Sequence, residues 1–435
     1  MMLEFRWPLL GVIIPVAIIA CTAYGSHYFI LRHHLSTTQQ IIYECLASMI
    51  WASYALAIYT SPGEPPKNYN PKKGEWKRYC TKCRIYKPPR THHCSKCNKC
   101  VMAMDHHCPW TLNCVGANNL PHFMRFLFWV IVGTLYLFVQ FCERIIGYYN
   151  DSDKPIYLIK RSELIAVVVF TPIDLFILLS ISLLFIRCLI NICKGMTQIE
   201  IWEWDRIDSQ FHSKRLWKSI RLNYKQLHGK KLPKLNTWTN KTPIDDEEYP
   251  LDDIMNQEEN DELNSLVGPE STDTESHYRD DEDLEGECDP GADEEECDEG
   301  VDEDNDTVPQ NFTIDDLIFP YDYGLWGNLK HFLGSPFMWL VPWSKPNNSG
   351  LDIEPSLDYK EDDQLGLPWP PDGGNQNITI PTPNDDELRS INNYSQIKKQ
   401  LDPRYNAKRS NWQNDMGESL NDFGVYIDDS DDDKL

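Results

Sequence analysis

The sequence predicts an α-helical polytopic membrane protein. It has four transmembrane helices, a cytosolic cysteine-rich double-zinc domain between helices 2 and 3, and a largely disordered acidic C-terminal tail. Three observations carry this prediction. The N-terminal half contains four long apolar runs. Between the second and third lies a basic stretch whose Cys and His residues repeat at a fixed interval. The acid behind the formal net charge of −25 is packed into the C-terminal half, so the charge describes the tail and not the whole molecule.

Leu9 to Leu31 is almost continuously apolar and long enough to cross a hydrocarbon core. Pro15 and the length of the run argue against a cleaved signal peptide. The second span runs from about Gln40 to Tyr59 and contains Glu44, the third from about Phe126 to Ile146, and the fourth from about Leu164 to Ile186, with Pro172 and Asp174 inside. Carboxylates are costly in lipid, so Glu44 is expected to face other helices or to lie near one end of its span, and Asp174 to be a buried polar contact or a cavity residue. The loop between spans two and three carries eleven Lys and Arg against three acids, which places it in the cytosol by the positive-inside rule. Four spans then put both termini in the cytosol.

That loop contains CTKCRIYKPPRTHHCSKCNKCVMAMDHHCPWTLNC, Cys80 to Cys114. Shifted by fourteen positions, it repeats itself. Cys80, Cys83, His93 and Cys100 follow C-x2-C-x9-H-x6-C, and Cys94, Cys97, His107 and Cys114 follow the same pattern, interleaved with the first. Each copy offers three thiolates and one imidazole, the donor set of a closed tetrahedral structural zinc site. A disulfide framework fits poorly with a basic cytosolic stretch.

Two such sites use eight of the eleven Cys and His residues. His92, His106 and Cys108 remain. Cys94 and Cys108 hold equivalent places, each closing a His-His-Cys triplet. Cys94 has Cys97 as its partner, whereas Thr111 stands at the matching place for Cys108. Cys108 is thus a thiol held beside a zinc site without belonging to it. With His106 as base and Asp105 to orient that imidazole, this is the arrangement of an activated Cys nucleophile.

Asp105-His106-His107-Cys108 inside this framework resembles the DHHC family of protein S-acyltransferases (palmitoyltransferases). Lys87-Pro88-Pro89-Arg90, Cys114, Asn118 and Phe123 agree with the family pattern, and the likeness covers the chain to roughly residue 205. It implies a protein-cysteine S-palmitoyltransferase with ping-pong kinetics. Cys108 carries the acyl group as a thioester, and two structural zinc ions sit in the two ligand sets. Long-chain acyl-CoA (palmitoyl-CoA) is the co-substrate, with Lys87, Arg90 and His92 as candidate CoA-facing groups. The partners implied are the lipid bilayer and membrane proteins with cytosolic juxtamembrane cysteines. The family has a Thr-Thr-x-Glu motif after the fourth span. Here Thr197 and Glu200 are present but Gln198 replaces the second Thr, which puts a contact to the DHHC Asp in doubt.

Beyond this motif the expected order is a basic juxtamembrane segment within 194–244 and an acidic disordered linker over 245–310, where about half of residues 245–306 are Asp or Glu. An aromatic segment over 311–345 follows, docking on the membrane surface or the zinc domain. A polar disordered tail over 346–435 ends the chain. The zinc domain itself is bounded at 61–122, with helices 1 and 2 within 1–60 and helices 3 and 4 within 123–193. The short N-terminus leading into Trp7-Pro8-Leu9-Leu10-Gly11-Val12, the Thr-Gln-Ile-Glu variant and the late aromatic segment together resemble a fungal endoplasmic-reticulum branch of the family. That branch implies chitin synthase or amino-acid permease cargo, with a Golgi membrane as the alternative location. Two other readings stay open: a non-catalytic, membrane-anchored zinc interaction module or cargo chaperone, and a four-span transporter with a zinc domain.

Overall fold

The computed structural model describes residues 10–153, 160–235, 308–309, 311–344, 350–351, 353–374, 402–405 and 407–427. The acidic linker expected over 245–310 falls almost wholly outside them. The chain divides into two compact units, Met1–Lys234 with Leu317–Leu435, and Leu235–Asp316. In the second, a short turn over Ile314–Asp316 is closed by the Thr313 amide and hydroxyl, each donating to Asp316 Oδ2 at 2.8 Å.

Among the described residues, four helices of the first unit are long and apolar enough to cross a membrane: α1 (Leu10–His34), α2 (Thr37–Tyr59), α3 (Leu120–Asn150) and α4 (Arg161–Cys193). A π-turn over His27–Leu31 interrupts α1. The start of α2 is fixed by a capping box in which the Ser36 hydroxyl accepts from the Gln39 amide and Gln39 reaches back to the Ser36 amide. Much of each helix surface is apolar and exposed, as lipid-facing residues require. Glu44 lies 2.8 Å from His27 Nδ1. Asp174 is buried, and its carboxylate oxygens have no hydrogen-bond partner among the described residues.

Between α2 and α3 the chain forms three short antiparallel hairpins: β1 (Tyr79–Cys80) with β2 (Ile85–Tyr86), β3 (His92–Cys94) with β4 (Lys99–Val101), and β5 (His106–Cys108) with β6 (Asn113–Val115). The fourteen-residue repeat is therefore structural, and it has three copies rather than two. Cys80 pairs with Ile85, Cys94 with Lys99 and Cys108 with Asn113. Each hairpin turns through one left-handed residue at the matching position: Arg84 (φ 55°), Asn98 (φ 52°) and Leu112 (φ 50°).

After α4 come α5 (Gln198–Gln210) and α6 (Lys214–His228), and then, in the C-terminal region, α7 (Gly324–Leu333) and α8 (Leu357–Asp362). The aromatic segment docks mainly on the ends of α3 and α4 that adjoin the hairpins. Arg125 donates to Trp339 O at 3.0 Å, Trp129 to Leu340 O at 3.1 Å, and Asn328 to Cys193 O at 2.9 Å.

Within 346–435, expected as a polar disordered tail, two described stretches carry contacts. Residues 353–374 and 407–427 are folded onto the zinc domain and α5. Trp76 donates to Pro368 O at 2.9 Å, Trp369 stacks on Trp204 with ring centres 5.5 Å apart, and Asp372 pairs with Arg206 at 2.9 Å in full burial. Further along, Trp412 and Leu420 are fully buried against Ile199 and Trp202. Large apolar side chains, spaced irregularly among charges, fill the gap between two elements distant in sequence. No local periodicity announces them.

Candidate active site

Two groups of donors assemble as the spacing requires. Cys80, Cys83, His93 and Cys100 form one, and Cys94, Cys97, His107 and Cys114 the other, with ligand atoms within 4.8 Å of one another in each. His93 Nδ1 lies 3.4, 3.2 and 3.8 Å from the sulfurs of Cys80, Cys83 and Cys100. His107 Nδ1 lies 3.6, 3.3 and 3.7 Å from those of Cys94, Cys97 and Cys114. Zn–S bonds of about 2.3 Å and Zn–N bonds of about 2.0 Å put the corners of a tetrahedron roughly 3.5–3.8 Å apart, so both groups fit zinc. The amides of Cys83 and Cys97 each donate to the first sulfur of their turn at 3.3 Å, as suits thiolate ligands.

Alternation along β5 decides the rest. Neighbouring residues on a strand face opposite ways. His107 turns toward the second metal group, so His106 and Cys108 share the other face. Cys108 is buried in an apolar cluster with Val115, Leu120, Phe123, Leu127, Ile192 and Phe332. It belongs to neither donor group.

His106 Nδ1 lies 2.7 Å from Asp105 Oδ2, which leaves Nε2 to serve the thiol. Asp105 Oδ1 accepts from the Gln198 amide at 2.7 Å, at the N-terminus of α5. Burial pushes the Cys108 thiol up, but this is outweighed by a hydrogen bond and positive charge from His106, the Thr111 hydroxyl and the Trp110 amide, and the thiol falls below its ordinary value. Burial also opposes charge on His106, yet hydrogen bonds to Asp105 and Cys108 raise the imidazole to about 10. The two groups form a hydrogen-bonded imidazole–thiol pair in which each favours the charged form of the other.

The DHHC palmitoyltransferase family model matches residues 73–205. A Candida albicans protein named Palmitoyltransferase PFA4 is 49% identical, over 98% of this chain and 99% of that protein. The chain belongs to the DHHC palmitoyltransferase family. Proteins of the same name from Saccharomyces cerevisiae and Yarrowia lipolytica are 38% and 32% identical, each over 98% of this chain and covering 100% and 98% of the relative. The likeness to this fungal branch extends through the C-terminal region, well beyond the shared DHHC segment.

Within this family member, Gln198 leaves the support of Asp105 intact. The contact comes from the backbone N–H at position 198, whatever the side chain, and Gln198 Oε1 instead accepts from Asn191 at 2.9 Å. Thr197 caps α5, and Glu200 completes the capping box. Glu200 has a second duty. Its carboxylate takes Arg90 in a bidentate pair, with Nε donating at 2.7 Å, while Arg90 Nη2 also donates to Gly195 O at 2.9 Å.

This corrects the expectation that Arg90 faces CoA. Its side chain is 1% exposed and its charge is neutralised by Glu200, so it acts as a strut between the zinc domain and α5. Lys87 remains half-buried. His92 borders a small polar cavity with Arg78, Arg90, Glu203, Tyr321 and Trp369. Burial, with Arg409, Arg78 and Lys87 nearby, pushes its imidazole well below the ordinary value.

Sequence reasoning missed Arg78, Trp110 and Thr111. Thr111 carried the available signal. The sequence shows it as a missing ligand, whereas its hydroxyl donates to Cys108 O at 3.4 Å and helps lower the thiol.

Proposed function

We propose that this chain is a protein-cysteine S-palmitoyltransferase that moves a long-chain acyl group from acyl-CoA to cysteines of membrane proteins through a Cys108 thioester. The observation that carries the proposal is the position of Cys108. It lies on the strand face opposite His107, outside both metal groups, next to His106 and Asp105, and in the apolar layer where the zinc domain meets α3 and α4.

The reaction has two half-steps. His106 Nε2 takes the Cys108 proton. The thiolate attacks the acyl carbonyl, an S–C bond forms, the bond to CoA sulfur breaks, and the leaving thiolate takes the proton back. A substrate cysteine then gives its proton to His106 Nε2 and attacks the enzyme thioester; its S–C bond forms, the bond to Cys108 sulfur breaks, and the leaving Cys108 thiolate takes the proton from His106. One thioester replaces another at each step, and the kinetics are ping-pong. Asp105, held by the Gln198 amide, keeps the imidazole in the tautomer that accepts at Nε2. Zinc in the two donor groups supplies structure, since every position is filled by protein.

A small apolar cavity of about 50 Å³ lies among the spans, bordered by residues that include Ile18, Tyr43, Ile50, Gly133, Leu137 and Ile177. Lys87 and His92 are the remaining candidates for CoA contact.

The excess of Lys and Arg in the zinc-bearing loop supports a cytosolic active site with both termini on the same side. The likeness to the fungal branch supports an endoplasmic-reticulum membrane, with Golgi as the alternative, and cargo of the chitin synthase or amino-acid permease kind.

The test is acyl-enzyme formation in detergent with a clickable palmitoyl-CoA analogue. Hydroxylamine-sensitive label is expected on the wild type and none on folded Cys108→Ser. Equal labelling of the two would remove Cys108 as nucleophile. A folded, zinc-loaded wild type that takes no label would favour the interaction-module reading.

A further inference from the structure

The segment Trp412–Tyr426 lies across the edges of the second and third hairpins. The Ser95 amide donates to Gly424 O and the His107 amide to Phe423 O, both at 2.9 Å. The Tyr426 amide donates to His93 O at 2.7 Å, and Val425 forms an antiparallel bridge with Cys94. Among the described residues β3 and β5 each have one strand partner, so these bonds use polar groups on edges left open by the hairpins.

The approach is close. Gly424 has φ +81°, and a Cβ there would sit 2.7 Å from His107 Cβ and 3.5 Å from Cys94 Sγ. Val425, Phe423, Leu420 and Trp412 bury their side chains with Cys94, Cys114, Ile199 and Trp202.

The same segment also grips α5. Trp202 Nε1 donates to Glu418 O at 2.9 Å, Trp412 Nε1 donates to Ser209 Oγ at 3.0 Å, and the two indoles meet edge-on at 4.9 Å. Glu418 pairs with Arg187 of α4 at 2.9 Å. The reacting groups therefore have two supports. His106 and Cys108 ride on β5, while Asp105 is held by the N-terminus of α5. The C-terminal segment ties those two supports together, alongside the Arg90–Glu200 strut, the Gln198–Asp105 bond and the 353–374 stretch that joins Trp76 to Trp204.

We propose that Trp412–Tyr426 is a positioning strand for the reaction at Cys108, one that fixes β5 against α5 so that Asp105, His106 and Cys108 stay in line. The proposal rests on the catalytic reading above. It makes the far C-terminus, more than 300 residues from Cys108 in sequence, a part of the site's support.

The test compares Gly424→Ala with Gly417→Ala in the full-length, zinc-loaded protein. Both glycines have positive φ, and at Gly417 (φ +74°) an added Cβ meets nothing within 4 Å, so only the first substitution strikes His107. Three quantities are followed: hydrogen exchange at the Ser95 and His107 amides, the single-turnover rate of acyl-enzyme formation with its half-saturating palmitoyl-CoA concentration, and zinc per chain.

Gly424→Ala is expected to speed exchange at both amides and to slow acyl-enzyme formation about tenfold, as expected for a small misplacement of reacting groups. Half-saturation should stay within about twofold and zinc should stay at two per chain, while Gly417→Ala behaves as wild type. Faster exchange with an unchanged rate would make the segment merely structural and overturn the proposal, as would zinc loss in step with the rate. Should Gly424→Ala fail to fold, Trp412→Phe, which loses the Ser209 bond but keeps the ring, must show the same split in milder form. A wild type that forms no acyl-enzyme defeats the catalytic reading itself, and the exchange arm still reports whether the strand holds His107.

Discussion

The hairpins β3–β4 and β5–β6 share a register, a His-His-Cys strand and a left-handed turn residue at the same place, yet Cys94 ends in a metal group and Cys108 does not. In both, the middle histidine faces its own metal group and the terminal cysteine faces the other way. For Cys94 that other face meets His107, supplied by the next repeat fourteen residues on. Cys108 has no repeat after it. The chain instead enters α3 at Leu120, and the face of Cys108 closes over buried apolar residues of α3, α4 and α7. The exchange of Cys97 for Thr111 completes the difference, putting a hydroxyl where a competing thiolate would be. An unliganded thiol is thus obtained by ending a metal-binding repeat one copy early.

The largest effect expected from this comparison separates the two cysteines by stability rather than activity. Cys94→Ser removes a zinc ligand. Structural zinc sites contribute on the order of 10 kcal/mol of apparent folding energy, so one zinc per chain should be lost and the hairpins should open. Cys108→Ser removes no ligand, and it should keep two zinc ions and unfold within a few degrees of wild type. Zinc content by elemental analysis and thermal unfolding measure both. A zinc deficit in Cys108→Ser would mean that the third hairpin is a metal site after all.

Next in size is the dyad. Asp105→Asn keeps an acceptor for the Gln198 amide but presents an amide N–H to His106 Nδ1. The imidazole must then take its other tautomer, with no lone pair at Nε2. General-base assistance is worth about 10²–10⁴-fold, and acyl-enzyme formation should slow by that order with zinc content unchanged. A loss below about threefold would say that Cys108 is activated by Trp110 and Thr111 alone.

How much of this could be read from the chain differs between the same two regions. The zinc ligands were legible because a hairpin turn is local: a C-x2-C pair and a repeat of fourteen show which atoms meet without any knowledge of the rest of the fold. Cys108 was legible as the copy lacking a partner, and the four spans as apolar runs matching the thickness of a membrane. The supports were not legible, for two physical reasons. Asp105 is held by a backbone N–H, and every residue but proline has one, so Gln198 gave no sign of the contact and its side chain misdirected attention. Arg90 looked like a phosphate partner because its mate, Glu200, lies 110 residues away. The C-terminal strand was hidden for the same reason. Phe423, Gly424 and Val425 read as fragments of a polar tail until long-range packing gives them edges to cover.

The smallest effect is the sharpest, since it separates side chain from backbone at one position. Gln198 is the first residue of α5, following the Thr197 cap, whose ψ of 166° is the extended conformation that a following proline requires. Proline is well tolerated at that helical position, where the N–H has no helical partner. Gln198→Pro should therefore leave α5 intact and delete one thing, the donor to Asp105. A net hydrogen bond to a charged group is worth about 1.5–3 kcal/mol, so a loss of roughly ten- to hundredfold in acyl-enzyme formation is the ceiling. Gln198→Ala keeps the donor and loses only the bond to Asn191, so its rate should stay within about threefold of wild type. Helicity by circular dichroism and single-turnover labelling distinguish the two. If alanine slows the reaction as much as proline does, the side chain at 198 matters after all, and the exchange of Thr for Gln in this chain is a functional difference from the rest of the family.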